Sequence, residues 1–371
     1  MDLASPAIEN VDALLVPVSA AHPAGIDIRN DRSATSPYQI IKDARNMARA
    51  AERNNLFDGK RNEADQHWRK VLDCAPNILI SHGKDLEIAC WYTEALIRTH
   101  GFQGLCDGFT LIRKLISQYW ESLFPLPDED GLETRTACLS GLNGEGNDGV
   151  LISPIRSVLL SEDISPGPFN FWQYQQALEV NKIVDEGTRT KKISQNGFSV
   201  EDIERAVNES SDTFFINIHD NLSASITEYQ EISRLLEKHC ALQELPPTSN
   251  IINTLTECLG TICHIGRYKL PADIDPESLE SSENPSAKIN TLTTAASQNS
   301  TLSREIAFKQ LLEISNFFRT TEPHSPVSYM LEKAVRWGNL PLHELILELI
   351  PDSSSRDHYG SLTGVNTNDK H

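Results

Sequence analysis

The sequence predicts a mainly α protein: a helical N-terminal domain, a middle αα-hairpin, and a small helical C-terminal oligomerisation module after a flexible linker. Three observations carry this reading. Apolar residues recur every three or four positions over long segments, the spacing of a one-sided helix. Gly and Pro fall mostly between those segments, where they stop helices. The β-branched run VLISPIRSVLLSE (150–162) is the best strand candidate, and Pro154 interrupts it.

The elements follow in order. PVSAAHPAGIDIRND (17–31) is extended and turn-rich. Ile40, Ile41, Ala44, Met47 and Ala48 stripe a first helix from Pro37, and a second begins near Glu63. A third runs from Ser81 to His100, with Gly101 at its C-cap. Leu105, Phe109, Ile112, Leu115, Ile116, Tyr119, Trp120 and Leu123 mark a fourth, stopped by Pro125 and Pro127. Trp68, Leu86, Trp91, Leu96, Phe109, Leu115, Trp120 and Leu123 are the expected core. A helix at Thr134–Leu142 and the loop NGEGNDG precede the strand candidate, and 164–198 reads as irregular around a short helix, FNFWQYQQALEV.

Ser199 and Asp202 have the shape of a capping box. Phe214, Ile218, Leu222, Tyr229, Ile232, Leu236 and Cys240 stripe a long helix over about 211–240. Ile251, Ile252, Leu255, Cys258, Leu259, Ile262 and Ile265 stripe its successor. The two stripes face each other or a second copy. Residues 270–302 are rich in Ser, Thr, Asn, Glu and Pro and read as a flexible linker; TGVNTNDKH at the end reads as a disordered tail. The expected domains are 1–198, 199–269 and 303–365.

Composition limits the function. With 33 Lys and Arg against 52 Asp and Glu, the net charge of −19 repels nucleic acid and anionic membranes, and no dense Lys/Arg stripe is evident to override it. No apolar run is long enough to span a bilayer, and MDLASPAIENVDALLVPVS lacks the basic start of a secretory signal. The seven cysteines (74, 90, 106, 138, 240, 258 and 263) are scattered without a Cys-x-x-Cys and read as small core residues of a reduced, cytosolic protein.

The candidate chemical motifs do not close. His343-Glu344 lacks the second histidine of a zinc-protease helix. Gly144, Gly146 and Gly149 come without the Lys and Ser/Thr of a phosphate loop, and acids sit among them. Cys263 and His264 are neighbours on a helix and diverge. Asp128, Glu129 and Asp130 lack the alternating oxygen ligands of a calcium loop and read as a solvated acid turn, a candidate contact for a basic partner surface. No catalytic, cofactor or metal site is expected, and the chain reads as a non-enzyme.

The C-terminal segment RTTEPHSPVSYMLEKAVRWGNLPLHELILELI (319–350) is the most informative stretch. Two short apolar-periodic helices flank Gly338-Asn339-Leu340-Pro341. Pro326 fits the first turn of the second helix, with Ser325 as N-cap and Thr320–Ser325 as a fixed loop. Phe317, Phe318, Val327, Met330, Leu331, Val335, Leu342, Leu345, Ile346 and Leu349 exceed what one hairpin hides, so copies are expected to pack together. The candidate interface residues are Phe317, Phe318, His324, Tyr329, Arg336, Trp337, Leu345 and Leu349.

The runs PVSAAHPAGIDIRND, IIKDARNMARAAER, HWRKVL, SHGKDLEIACWYTEALIRTHGFQGLCDGF, YWESLFPLPDEDG and SGLNGEGNDGVLISPIR span about 16–156. In order and spacing they resemble the ImpA-type N-terminal domain of the type VI secretion system TssA family, and the C-terminal run resembles the short-form members. The resemblance implies a cytoplasmic structural component of a contractile, phage-tail-like machine, held at the inner-membrane-associated apparatus through its partners. It implies a homo-oligomeric ring of about ten or more chains built through the C-terminal region. It further implies partners among baseplate, tube and sheath proteins, whose assembly the ring primes, with no nucleic acid and no direct membrane insertion. The alternative from a different class is a ligand- or peptide-sensing dimeric cytoplasmic adaptor.

Overall fold

The computed structural model describes residues 8, 10–58, 61–129, 131–241 and 243–271, and in the C-terminal region 308, 311–312, 315–316, 318–319, 326–340, 345, 348–349, 352 and 356. The chain divides into two compact units, Met1–Ser282 and Glu283–His371. The named elements among the described residues are all helical, and extended residues meet only at isolated bridges such as Gly25 with Gly83 and Leu159 with Asn170.

In the first unit α1 (Val11–Leu15) leads to α2 (Pro37–Asp58), α3 (Arg61–Ser81) and α4 (Leu86–Tyr119). The middle of the unit is α4, which touches α3, α5 (Glu133–Asn143), α6 (Ile152–Ser157) and α10 (Asp212–His239). Its residues Ile88–Ile97 and Leu111–Ile112 are buried all round rather than on one stripe, as a helix enclosed by neighbours requires. At Gly101 the backbone leaves helical geometry (φ 59°, ψ −140°), a region open in practice to glycine alone. The break expected from the sequence therefore exists, and the chain resumes a helix at once. Every expected core residue from Trp68 to Leu123 is buried.

The strand expected at 150–162 is a correction. Ile152–Ser157 form α6, and Pro154 stands in its first turn, where a missing N–H costs nothing. Only Val158 and Leu159 are extended, and Leu159 bridges Asn170. A second correction falls in 164–198. Besides α7 (Phe171–Asn181) there is α8 (Glu186–Asn196), a helix that buries no residue fully. Asp185 caps its start and Gly197 (φ 80°) its end.

The capping box is present: Ser199 accepts from the Asp202 amide, and Asp202 accepts from the Ser199 amide, at the start of α9 (Val200–Glu209). Beyond it, α10 and α11 (Ser249–Ile265) form the expected pair. Their stripes are buried against each other and against the N-terminal helices, not held for a second copy. Phe109 of α4 meets Tyr229 of α10 with ring centroids 4.7 Å apart, and Arg113 bonds Glu228 at 2.5 Å. The boundary expected at 198/199 thus falls inside one compact unit with a shared core.

Beyond Pro271 the expected linker lies outside the described residues, as do Thr320–Ser325 and the terminal tail. In the second unit α12 (Val327–Asn339) begins one residue later than expected, with Pro326 in the N-cap position.

Candidate functional site

The runs that carry the family resemblance hold the first unit together. Residues 82–85 tie three segments: the Ile26 amide donates to the His82 carbonyl, Lys84 to Ala24, and Phe124 to Lys84, all at 2.8–2.9 Å. Gly25 (φ 77°) and Gly83 meet so closely that a Cβ on Gly25 would stand 2.0 Å from the His82 oxygen. Only glycine allows that crossing.

Lys84 is fully buried, with no carboxylate partner among the described residues. Its Nζ donates to Leu14 O (2.8 Å) and Leu79 O (2.6 Å), carbonyls at the C-terminal ends of α1 and α3, where a cation offsets the helix dipoles. Burial pushes its ammonium down to about 8. Asp85 is also buried. It caps α4 by accepting from the Ile88 amide, and Arg29 Nη1 bonds it at 2.6 Å while Nη2 bonds Glu87 at 2.6 Å. Burial works against the Arg29 charge, but Asp85 and Glu87 outweigh it and hold the guanidinium above its ordinary value. Tyr38 donates to Glu87 and is pushed by burial up to about 12. These groups are saturated by one another, so they brace the fold and leave no free nucleophile or base.

The glycine loop serves the same end. Asn143 is buried; its Oδ1 accepts from the Ile251 amide (3.0 Å), and its carbonyl accepts from Asn250 (3.1 Å), fixing the start of α11. Cys263 is buried and His264 exposed, so that pair does diverge. The seven cysteines are free. Among the described residues no group of three or more His, Cys, Asp or Glu side chains is placed to hold a metal, and no helix is long and apolar enough to cross a membrane.

Of the acid turn, Asp128 and Glu129 are exposed, and Asp130 lies outside the described residues. Thr134 Oγ1 donates to Asp128 at 2.5 Å, and the Gly131 amide closes the turn on the Asp128 carbonyl. One carboxylate is therefore partly engaged, and Glu129 faces solvent.

The C-terminal candidates divide. Phe317, His324 and the His343-Glu344 pair lie outside the described residues. Phe318 and Leu345 are half-buried, while Tyr329 (62 %) and Leu349 (50 %) are exposed. Arg336 is exposed and ion-paired with Glu348. Trp337 is half-buried, its Nε1 buried without a partner, and Lys333 lies over its ring at 4.8 Å. Ser328 and Val335 form the buried side of α12. Ser315 Oγ donates to Ser328 O (2.9 Å), and Arg319 bonds Glu332 (2.7 Å), so the helical residues near 315 hold this side.

On another side of α12, Val327, Met330, Ala334 and Trp337 recur at intervals of three, four and three. They lie within an arc of about 80° at 3.6 residues per turn. Met330 is 60 % exposed, and Val327 and Ala334 are exposed too. Val327, Met330 and Ala334, none of them among the candidate interface residues, share this side with Trp337 through their 3-4-3 spacing.

Comparison with known proteins bears on this arrangement. A family model described as "ImpA, N-terminal, type VI secretion system" matches residues 15–144, the segment that contains the 82–85 crossing, Arg29 and Asn143. The type VI secretion system component TssA1 of Pseudomonas aeruginosa is 22 % identical over 356 residues, covering 94 % of this chain and 96 % of that protein. The chain is thus similar to TssA proteins, through the family model in its N-terminal region and through TssA1 over nearly its whole length. In fold, the chain is similar to the solved N-terminal domain, including the conserved ImpA_N region, of the TssA component from Burkholderia cenocepacia. That match has a TM-score of 0.58 and 24 % identity, and covers 72 % of this chain and 96 % of the other. A TssA N-terminal domain of that extent reaches past α9, in keeping with one unit running through the α10–α11 pair.

Proposed function

We propose that this chain is a cytoplasmic, non-catalytic assembly factor of the TssA family in a type VI secretion system. Copies join into a ring of about ten or more chains through the C-terminal unit. The N-terminal units hold baseplate, tube and sheath proteins while the tail is primed and built. One observation carries the reading: α12 leaves Val327, Tyr329 and Met330 exposed on a single short helix. Apolar side chains exposed on more than one side of so short a helix mark an association surface. The likeness to TssA1 over nearly the whole of both chains supports placing that surface in a secretion component. Asp128, Glu129 and Asp130 are proposed as a contact for a basic partner face, since Glu129 is exposed on a fixed turn.

The experiment is carried out in the native bacterium, with a fluorescent sheath subunit as reporter. Replacing Tyr329 and Met330 together by Asp should abolish sheath assembly while leaving the amount of protein unchanged. Asp128→Asn with Glu129→Gln should reduce it. Normal sheath assembly in the first variant contradicts the proposal, and in the second it removes only the role of the acid turn.

A further inference from the structure

The sequence reading found no dense basic stripe, yet the fold makes one. Lys42, Arg45, Arg49 and Arg53 lie within an arc of about 80° on α2, beside the buried face carried by Ile41, Ala44, Ala48 and Ala51, with the half-buried Arg45 at the shared edge. Asp43, the exposed acid nearest in sequence, lies outside that arc, about 120° from its middle. Arg98 of α4 adds a fourth guanidinium. Two carboxylates stand among them, and both are engaged. Glu52 accepts from Arg98 Nε (2.5 Å) and Trp68 Nε1 (2.7 Å). Glu94 is bonded through Oε1 by Arg45 (2.6 Å), and its Oε2 is buried without a partner.

Arg49 and Arg53 have no hydrogen bond or ion pair among the described residues, and Arg53 is exposed. Burial, and after it Arg45, with Arg98 and Arg53 contributing and Glu94 opposing, hold the Arg49 guanidinium below its ordinary value. Two arginines without a carboxylate among the described residues, Arg49 and Arg53, on a chain of net charge −19 are poised for an anion.

We infer that the Arg45–Arg49–Arg53 row, flanked by Arg98, is a docking surface for an acidic segment of a partner protein. The spacing favours a peptide over other anions. Residues four apart on a helix are separated by about 6 Å along its axis. Carboxylates at four-residue spacing on a partner helix, or on alternate residues of a strand at about 6.7 Å, match that repeat. Nucleic acid, with its dense phosphate charge, is repelled by the acidic remainder of the chain. The surface is distinct from both the acid turn and α12, and it does not depend on ring formation.

The test measures fluorescence anisotropy of a short labelled oligoglutamate peptide titrated with the full-length chain at low and moderate salt. The wild type should bind, and binding should weaken with salt. R49E/R53E should lose roughly tenfold or more in affinity. K191E/K192E, the same charge change on α8, should lose much less. R49Q/R53Q should fall between wild type and R49E/R53E, and unfolding curves should show each variant folded. The inference is overturned if the wild type does not bind, if the α8 variant loses as much as R49E/R53E, or if duplex DNA binds more tightly than the peptide.

Discussion

Lys84 shows how a single side chain joins separate stretches of this sequence. Its ammonium reaches two helix ends that lie 65 residues apart, at Leu14 and Leu79. Replacement by Met would strand two carbonyls, which costs, and would remove a buried charge, which offsets part of that cost. The pH dependence separates the two effects. A lysine depressed from 10.5 to about 8 binds fewer protons when folded than when unfolded between those values. Its contribution to stability therefore rises with pH across that window and is flat below it. In urea unfolding at pH 7 to 10, the wild type should gain on Lys84→Met as the pH passes 8. A difference between the two proteins that stays constant would mean that Lys84 titrates normally. Buried thiols such as Cys90 and Cys258 pull the other way in both proteins and cancel in the comparison.

At the scale of elements, α4 depends on its break. Gly101 lies at positive φ with Val158 3.3 Å from where a Cβ would be. Gly101→Ala should destabilise the chain by about 1–3 kcal/mol, the usual range for a residue forced into such backbone, measurable by urea or thermal unfolding. A loss below half of the lower bound would mean that the two halves of α4 can realign. This break was legible in the sequence, as were the stripes of α10 and α11, because each buries one face at helical spacing. What the sequence did not reveal has physical reasons. In 150–162 the β-branched residues outweighed the permissive place of a proline in a first turn, so α6 was read as a strand. The helix α8 buries no residue fully and had no stripe to read; Asp185 and Gly197 were its only signals. The basic row on α2 was hidden because Asp43 and Glu52 interrupt it in sequence, whereas in space Asp43 lies outside its arc and Glu52 is engaged by Arg98. At the candidate interface, the apolar surplus was legible while its geometry was not: Trp337 proves half-buried, and Tyr329 and Met330 face out.

For the whole molecule, the first unit encloses its own core through α11, and the fold match to a solved TssA N-terminal domain covers 72 % of the chain. The proposed self-association falls to the second unit, where apolar side chains are exposed on α12. A closed ring follows when one patch meets a different patch on the next copy, whereas a two-fold dimer follows when the patch meets itself. The adaptor alternative requires the dimer. Light scattering coupled to size exclusion, on the intact chain at micromolar concentration and with negative-stain images of the same peak, tests the central claim most directly. The account predicts closed particles of about ten or more chains that fall to monomers when Tyr329 and Met330 are replaced by Asp. A wild-type chain that runs as a monomer or a dimer would contradict it.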